Sequence, residues 1–136
     1  MHTTNYTDTF IAVADDCPVQ QAEAPAHKAE APSVAAMQFA LLNGRPYAHT
    51  SDDVAFIVHA HRTGLPRGEW ATGRARYFSQ GRPCLRTSPL AKRYGFGLHC
   101  DGAGRVALVP KGSPEYDAFI NDGRLTQLKA MRSKRA

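Results

Sequence analysis

Apolar residues in this chain come in short runs, and that shortness is the strongest constraint on what it can fold into. The longest strongly apolar stretch is only Val54 to Val58. A helix needs roughly 20 apolar residues to cross a bilayer, so no membrane-spanning helix and no membrane partner are expected. Glycine, proline or Asp/Asn/Ser turn formers fence most runs, which keeps helices and strands short. Over 136 residues, 43% of them hydrophobic, this predicts one domain, residues 1–136, with a single core assembled from short elements of both kinds.

The elements follow from local pattern. Thr9 to Ala14 is apolar and rich in β-branched residues, and Asp15-Asp16-Cys17-Pro18 stops it, which predicts a strand. Residues 18–32 shift to Ala, Pro, Glu and Gln and read as an extended connection laid over the surface. Ser33 is suited to cap a helix over Val34 to Asn43, with Gly44 as its stop. Val54 to His61 alternates, with Val54, Phe56, Val58 and Ala60 on one face, and predicts a second strand. Pro66 introduces a helix over Arg67 to Gln80 that turns Trp70, Tyr77 and Phe78 inward, and Leu90 to Tyr94 suggests a helical turn.

Gly102-Ala103-Gly104 between Phe96–Asp101 and Arg105–Val109 is a hairpin signal. Ser113 and Pro114 open a last helix that carries Tyr116, Phe119 and Ile120 at i, i+3 and i+4. Leu125 to Met131 fits a strand or a helix, and is taken as a strand able to join an existing sheet. Residues 132–136 form a basic tail expected to be mobile. The sum is an α+β fold: a mostly antiparallel or mixed sheet of about four or five strands, with about three helices on one face.

Charge is divided along the chain. Residues 1–61 hold two basic and seven acidic side chains, a balance of −5, whereas residues 62–136 hold fifteen basic and five acidic ones, a balance of +10. Arginine dominates the basic part, and guanidinium groups pair bidentately with phosphate and carboxylate. Either the two parts cancel on folding, or a basic surface stays open to an anionic small molecule or nucleic acid. The N-terminus lacks the basic start and apolar run of a secretory signal. The three cysteines, Cys17, Cys84 and Cys100, are odd in number and contain no CxxC pair. Reduced thiols and a cytoplasmic location are expected.

The strings Thr50-Ser51-Asp52-Asp53-Val54, Ser88-Pro89-Leu90-Ala91-Lys92-Arg93-Tyr94-Gly95-Phe96-Gly97 and Lys129-Ala130-Met131-Arg132-Ser133-Lys134-Arg135 resemble those of the domain-of-unknown-function family numbered 6157. The stretch Tyr6 to Pro18 is similar to that family as well. The resemblance spans nearly the whole chain and implies a small bacterial-type soluble protein. It implies no activity, so no site residue is carried over from it.

Four features carry candidate chemistry. Ser88 could cap a helical turn whose free N–H groups draw an anion, with Arg86, Lys92, Arg93 and Arg132 supplying charge. Against this, Pro89 removes one of those donors, and Gly95 and Gly97 could serve only to permit a bulge beside Tyr94 and Phe96. His59 and His61, two apart on a strand, would share a face, and His99 could complete a metal set; the competing reading is a solvated outer face. Cys17 could act as a nucleophile, but Asp15 and Asp16 beside it disfavour the thiolate. Asp52-Asp53 reads as a turn or cap rather than an acid/base pair. A basic tail without a recognised nucleic-acid fold reads as solubilising as readily as nucleic-acid binding.

No cofactor is called for. The preferred function is a small non-catalytic binding or accessory protein that holds an anionic ligand or partner through the arginine-rich part. The alternatives are a small enzyme acting on an anionic metabolite, with Tyr94, His99 or Cys17 as its titratable group, and a structural subunit.

Overall fold

The computed structural model describes residues 1–26 and 32–134, so residues 27–31 of the expected connection and 135–136 of the expected tail lie outside it. Within these bounds the elements run β1 (Thr9–Ala12), α1 (Val34–Leu42), β2 (His49–Thr50), α2 (Ser51–Thr63), α3 (Trp70–Tyr77), α4 (Pro89–Lys92), β3 (Phe96–Cys100), β4 (Arg105–Pro110), α5 (Pro114–Ile120) and β5 (Thr126–Lys129). Short 3₁₀ turns at Arg67–Glu69 and Leu85–Thr87 precede α3 and α4. The strands form one mixed sheet in the order β2-β4-β3-β1-β5. β3 and β4 are the expected hairpin, β1 runs antiparallel to β3, and β5 lies parallel to β1 at the edge. The fold is α+β, and no helix among the described residues is long and apolar enough to cross a membrane.

Alternation along the strands sends side chains to two different cores. Ile11, Leu98 and Val106 face α1 and α4 and join Leu42, Val54, Leu90 and Ala91 in the larger core. Phe10, Ala12 and Val109 face the other way, against Tyr116 of α5. The helices are therefore not confined to one face, as the sequence had suggested. Ser113 caps α5 through Tyr116 N and Pro114 fills its first position, and the helix so started covers the second face of the sheet.

The largest correction concerns residues 54–61, which are helical rather than extended. Thr50 Oγ1 accepts from Asp53 N at 3.1 Å while Thr50 N donates to the Asp53 carboxylate at 3.0 Å, a reciprocal capping box that starts α2. Gly64, at φ 68°, ends it. The apparent period of two has a helical cause. Phe56 and Ala60, one turn apart, bury against Phe78 in a third cluster, while Val54 and Val58, also one turn apart, bury elsewhere on the helix. Two interleaved i, i+4 pairs look like strand alternation. His59 and His61 now project about 200° apart around α2 rather than from one face. Among the described residues no three His, Cys, Asp or Glu side chains are grouped to hold a metal ion.

The Ser88 segment also differs in detail. No bulge follows it: Gly95 turns the chain into β3 at φ 79°, and Gly97 pairs regularly with Val109. Gly97 is instead a place of close approach, since a Cβ there would lie 2.6 Å from Phe10 Cζ and 2.9 Å from Tyr116 Cε2. The ring of Phe10 meets Tyr116 edge-on at 5.2 Å and stacks on Phe119 at 5.6 Å, and His99 stacks on the same Phe119 at 4.2 Å. Residues 133 and 134 of the expected tail are tethered. Ser133 N and Lys134 N donate to the Asp16 carboxylate at 3.2 and 2.9 Å, and Lys134 first and Ser133 second hold that carboxyl below its ordinary value.

His99 shows how this face is tuned. The Tyr47 hydroxyl and His99 Nδ1 are 2.7 Å apart, and Tyr47 reaches that position with a left-handed φ of 59°, uncommon for a bulky side chain. Burial lowers the His99 pKa from its ordinary 6.5, outweighing the opposite pull of Asp101, Asp8 and Asp122.

Two outcomes follow for this face. Gly97→Ala is expected to destabilise the fold by about 1–3 kcal/mol, read from the denaturant midpoint, because the two rings must be displaced; an unchanged midpoint contradicts the packing. A histidine with its folded pKa below its unfolded one contributes stability above the unfolded value, and that contribution is lost as pH falls through the folded value. The stability difference between the wild type and His99→Gln should therefore shrink as pH drops from about 7 to about 5, and a difference constant across that range would refute the burial effect.

Candidate functional site

A half-open cavity of about 470 Å³ lies between α1, α2, the end of α3 and the segment 82–89. One wall is a stripe of α2. Ser51, Ala55, Val58, His59 and Arg62 all line the cavity, and their i, i+4, i+7, i+8 and i+11 spacing is one side of a helix. The opposite wall carries Arg82, Cys84, Thr87 and Ser88. Its shape is set by the 3₁₀ turn, in which Thr87 N and Thr87 Oγ1 both donate to Cys84 O. Gln38 of α1 bridges the top, accepting the Ser88 hydroxyl at 2.5 Å.

Arg82 is pre-oriented. Its Nε donates to Tyr77 O at 2.8 Å, and its guanidinium carbon sits 4.1 Å from the centre of the Tyr77 ring. The His59 ring lies 4.5 Å from the same tyrosine. Arg62 is exposed at the rim. Among the described residues neither arginine forms an ion pair, and none that lines the cavity is acidic. Charges inside a concave, partly apolar wall are screened less than on open surface, so two unpaired guanidinium groups make this space attractive to anions. At the back, Tyr6 donates its hydroxyl to Cys84 Sγ at 3.2 Å, and burial first and Cys84 second push that hydroxyl up to about 12.

Of the residues singled out by sequence, His59 and Ser88 line this cavity; Ser88 is 2% exposed, and its hydroxyl also accepts from Leu90 N at 3.2 Å, capping α4. Lys92, Arg93 and Tyr94 line a second recess of about 310 Å³ that shares Val34, Thr87 and Pro89 with the first. Arg86 turns away from both: its Nε donates to Lys129 O at 2.8 Å, and its own carbonyl accepts from Met131 N. Arg132 is exposed beyond β5. Cys17 packs against the Phe10 cluster and His99 lies on the α5 face of the sheet, so neither is brought to the cavity. Asp53, read as a cap, is one. Burial alone would raise its carboxyl, but the Thr50 N–H and the Arg74 guanidinium at 2.9 Å outweigh that and hold it below its ordinary value.

Arg62, Arg82 and Cys84 do not read as site residues in the sequence, because a strand over 54–61 gives Arg62 no partner wall. Reading Thr50-Ser51-Asp52-Asp53 as a capping box would have placed residues 51, 55, 59 and 62 on one helical face and drawn attention to what faces them. The charge division is partly cancelled by folding. Two of the three ion pairs among the described residues, Arg74–Asp53 and Lys129–Asp15, join the basic part to the acidic one.

Neither a curated protein nor a solved structure matches the chain. A family model does: it is described as "Family of unknown function (DUF6157)" and covers residues 1–136. A match of that extent bears out the resemblance seen in the sequence, and the chain belongs to this family of unknown function.

Proposed function

We propose that this protein is a small non-catalytic binding or accessory protein that holds an anionic small molecule in the cavity between α1, α2 and residues 82–89. The observation that carries the reading is the pairing of Arg62 and Arg82 on a cavity of about 470 Å³ with no acidic lining residue among those described. That volume lies in the range of small-molecule sites. Arg82, fixed on Tyr77, supplies a charge that needs little ordering on binding, and Arg62 at the rim closes over the ligand. Gln38, through its amide N–H2, and His59 offer hydrogen bonds around the anion, while Val34, Val58 and Leu85 take its apolar part. Lys92 and Arg93 in the adjoining recess add to the field that draws it in.

A small enzyme acting on the same class of anion is the second reading. It is favoured by Cys84 and His59, a nucleophile and a titratable base on the walls of one cavity.

Pyrophosphate and citrate are suitable probes, titrated calorimetrically at fixed ionic strength. One site is expected, weakened roughly tenfold or more by Arg62→Gln or Arg82→Gln, since a charge-assisted hydrogen bond is worth about 1.5–3 kcal/mol. Lys92→Gln with Arg93→Gln should weaken it less. No binding of either anion, or binding untouched in the Arg62/Arg82 double variant, contradicts the reading.

A further inference from the structure

The cavity holds one group that simple anion binding leaves unused. Cys84 lies on its wall, part-exposed, with Sγ held by the Tyr6 hydroxyl at 3.2 Å. We infer that Cys84 is a site of reversible thiol–disulfide exchange with the disulfide of a small anionic thiol, which Arg62 and Arg82 draw into the cavity. This inference rests on the proposed anion site and specifies one chemical class of ligand for it.

The exchange balances without any further reagent. The Cys84 thiolate attacks one sulfur of the disulfide RS–SR, the reagent's S–S bond breaks, and a bond forms between Cys84 Sγ and the attacked sulfur. The departing RS⁻ takes up the proton that Cys84 gave to solvent. Cys84 is oxidised to a mixed disulfide, and the leaving half of the reagent is reduced to a thiol. A free anionic thiol reverses the step by the same route.

Position selects this cysteine over the other two. Cys100 is fully buried in β3, and burial first and Asp101 second push its thiol up to about 12, which keeps it protonated and out of reach. Cys17 packs against the Phe10 cluster and does not line the cavity that holds Arg62 and Arg82. Of the three cysteines, Cys84 alone lines this cavity, where among the described residues two arginines are unpaired and no lining side chain is acidic. The Tyr6 hydroxyl, kept protonated by its surroundings, points its hydrogen at the sulfur that must carry charge during attack and again on release. Bringing a charged reagent to a matched site raises encounter rates by roughly 10-fold to 1000-fold, an advantage that a neutral disulfide lacks.

The test compares glutathione disulfide with neutral hydroxyethyl disulfide on the full chain, with peptide mapping to locate the adduct. The expected result is modification at Cys84 before Cys17 and Cys100, with the anionic reagent favoured by roughly tenfold or more. That ratio should fall toward one in the Arg62→Gln, Arg82→Gln double variant. Should that variant fold poorly, raising the ionic strength on the wild type must lower the ratio in the same direction. Modification of Cys17 ahead of Cys84, or a ratio near one in the wild type, overturns the inference. Pyrophosphate binding by Cys84→Ser separates the two levels. An inert Cys84 in a chain whose Cys84→Ser form still binds pyrophosphate overturns the exchange and leaves the anion site standing. Loss of pyrophosphate binding from the wild type removes the anion site and the exchange with it.

Discussion

The first turn of α2 is the junction on which the rest of the structure depends. Thr50 is both the end of β2, paired with Arg105 of the hairpin, and the N-cap of α2. Asp53 closes the capping box and then reaches Arg74 on α3 at 2.9 Å. Asp52, nearly buried, accepts from Thr3 Oγ1, Thr4 N and Thr4 Oγ1 at 2.6–2.7 Å, and its own N–H donates to Asn5 Oδ1. Ser51 Oγ contacts Thr4 Oγ1 at 2.8 Å. Four consecutive polar side chains thereby tie the sheet edge, two helices and the N-terminal arm into one unit. The bonds of Ser51 and Asp52 to Thr4 are buried, and a buried carboxylate with its partners removed would be costly, so this part of the cluster is mutually enforcing.

The cavity is a consequence of that junction. Fixing the start of α2 at Ser51 fixes the rotation of every residue after it, and the stripe through Ala55, His59 and Arg62 faces the segment 82–89. The N-terminal arm contributes twice more: His2 N donates to Phe78 O at the end of α3, and Tyr6 reaches Cys84. The arm therefore braces both walls of the space it runs beside. Gln38 and Ser88, joined by a hydrogen bond, tie α1 to the same wall. A pre-formed site with one arginine already seated on an aromatic ring spends little ordering entropy on a ligand.

Much of this architecture is legible in the sequence where local chemistry and tertiary packing agree. Ser33 and Ser113 cap helices as their positions imply, the Gly102-Ala103-Gly104 hairpin forms, and Thr126–Lys129 joins the sheet. Residues 54–61 fail because the helix is buried on two sides, and two i, i+4 stripes mimic a period of two. The covered second face is invisible for a related reason: Gly97 gives no apolar signal, yet it is the gap that seats Phe10 and Tyr116. As for the site, Ser88 stood out through its cap and its basic neighbours, whereas Arg62, Arg82 and Cys84 are separated in sequence and meet only through the fold. Charge counting located the basic half of the chain. Which of its arginines are neutralised, as Arg74 is, and which line a cavity depends on α2 having formed.

The central claim is that an anion enters between Arg62 and Arg82 rather than settling on the basic surface at large. Arginine Nε–Hε NMR signals followed during a pyrophosphate titration test it most directly, because each guanidinium reports separately. Arg62 and Arg82 should shift together and saturate, while Arg105 and Arg132, exposed elsewhere on the chain, should move little and without saturation. Comparable, non-saturating shifts at all four arginines would contradict it.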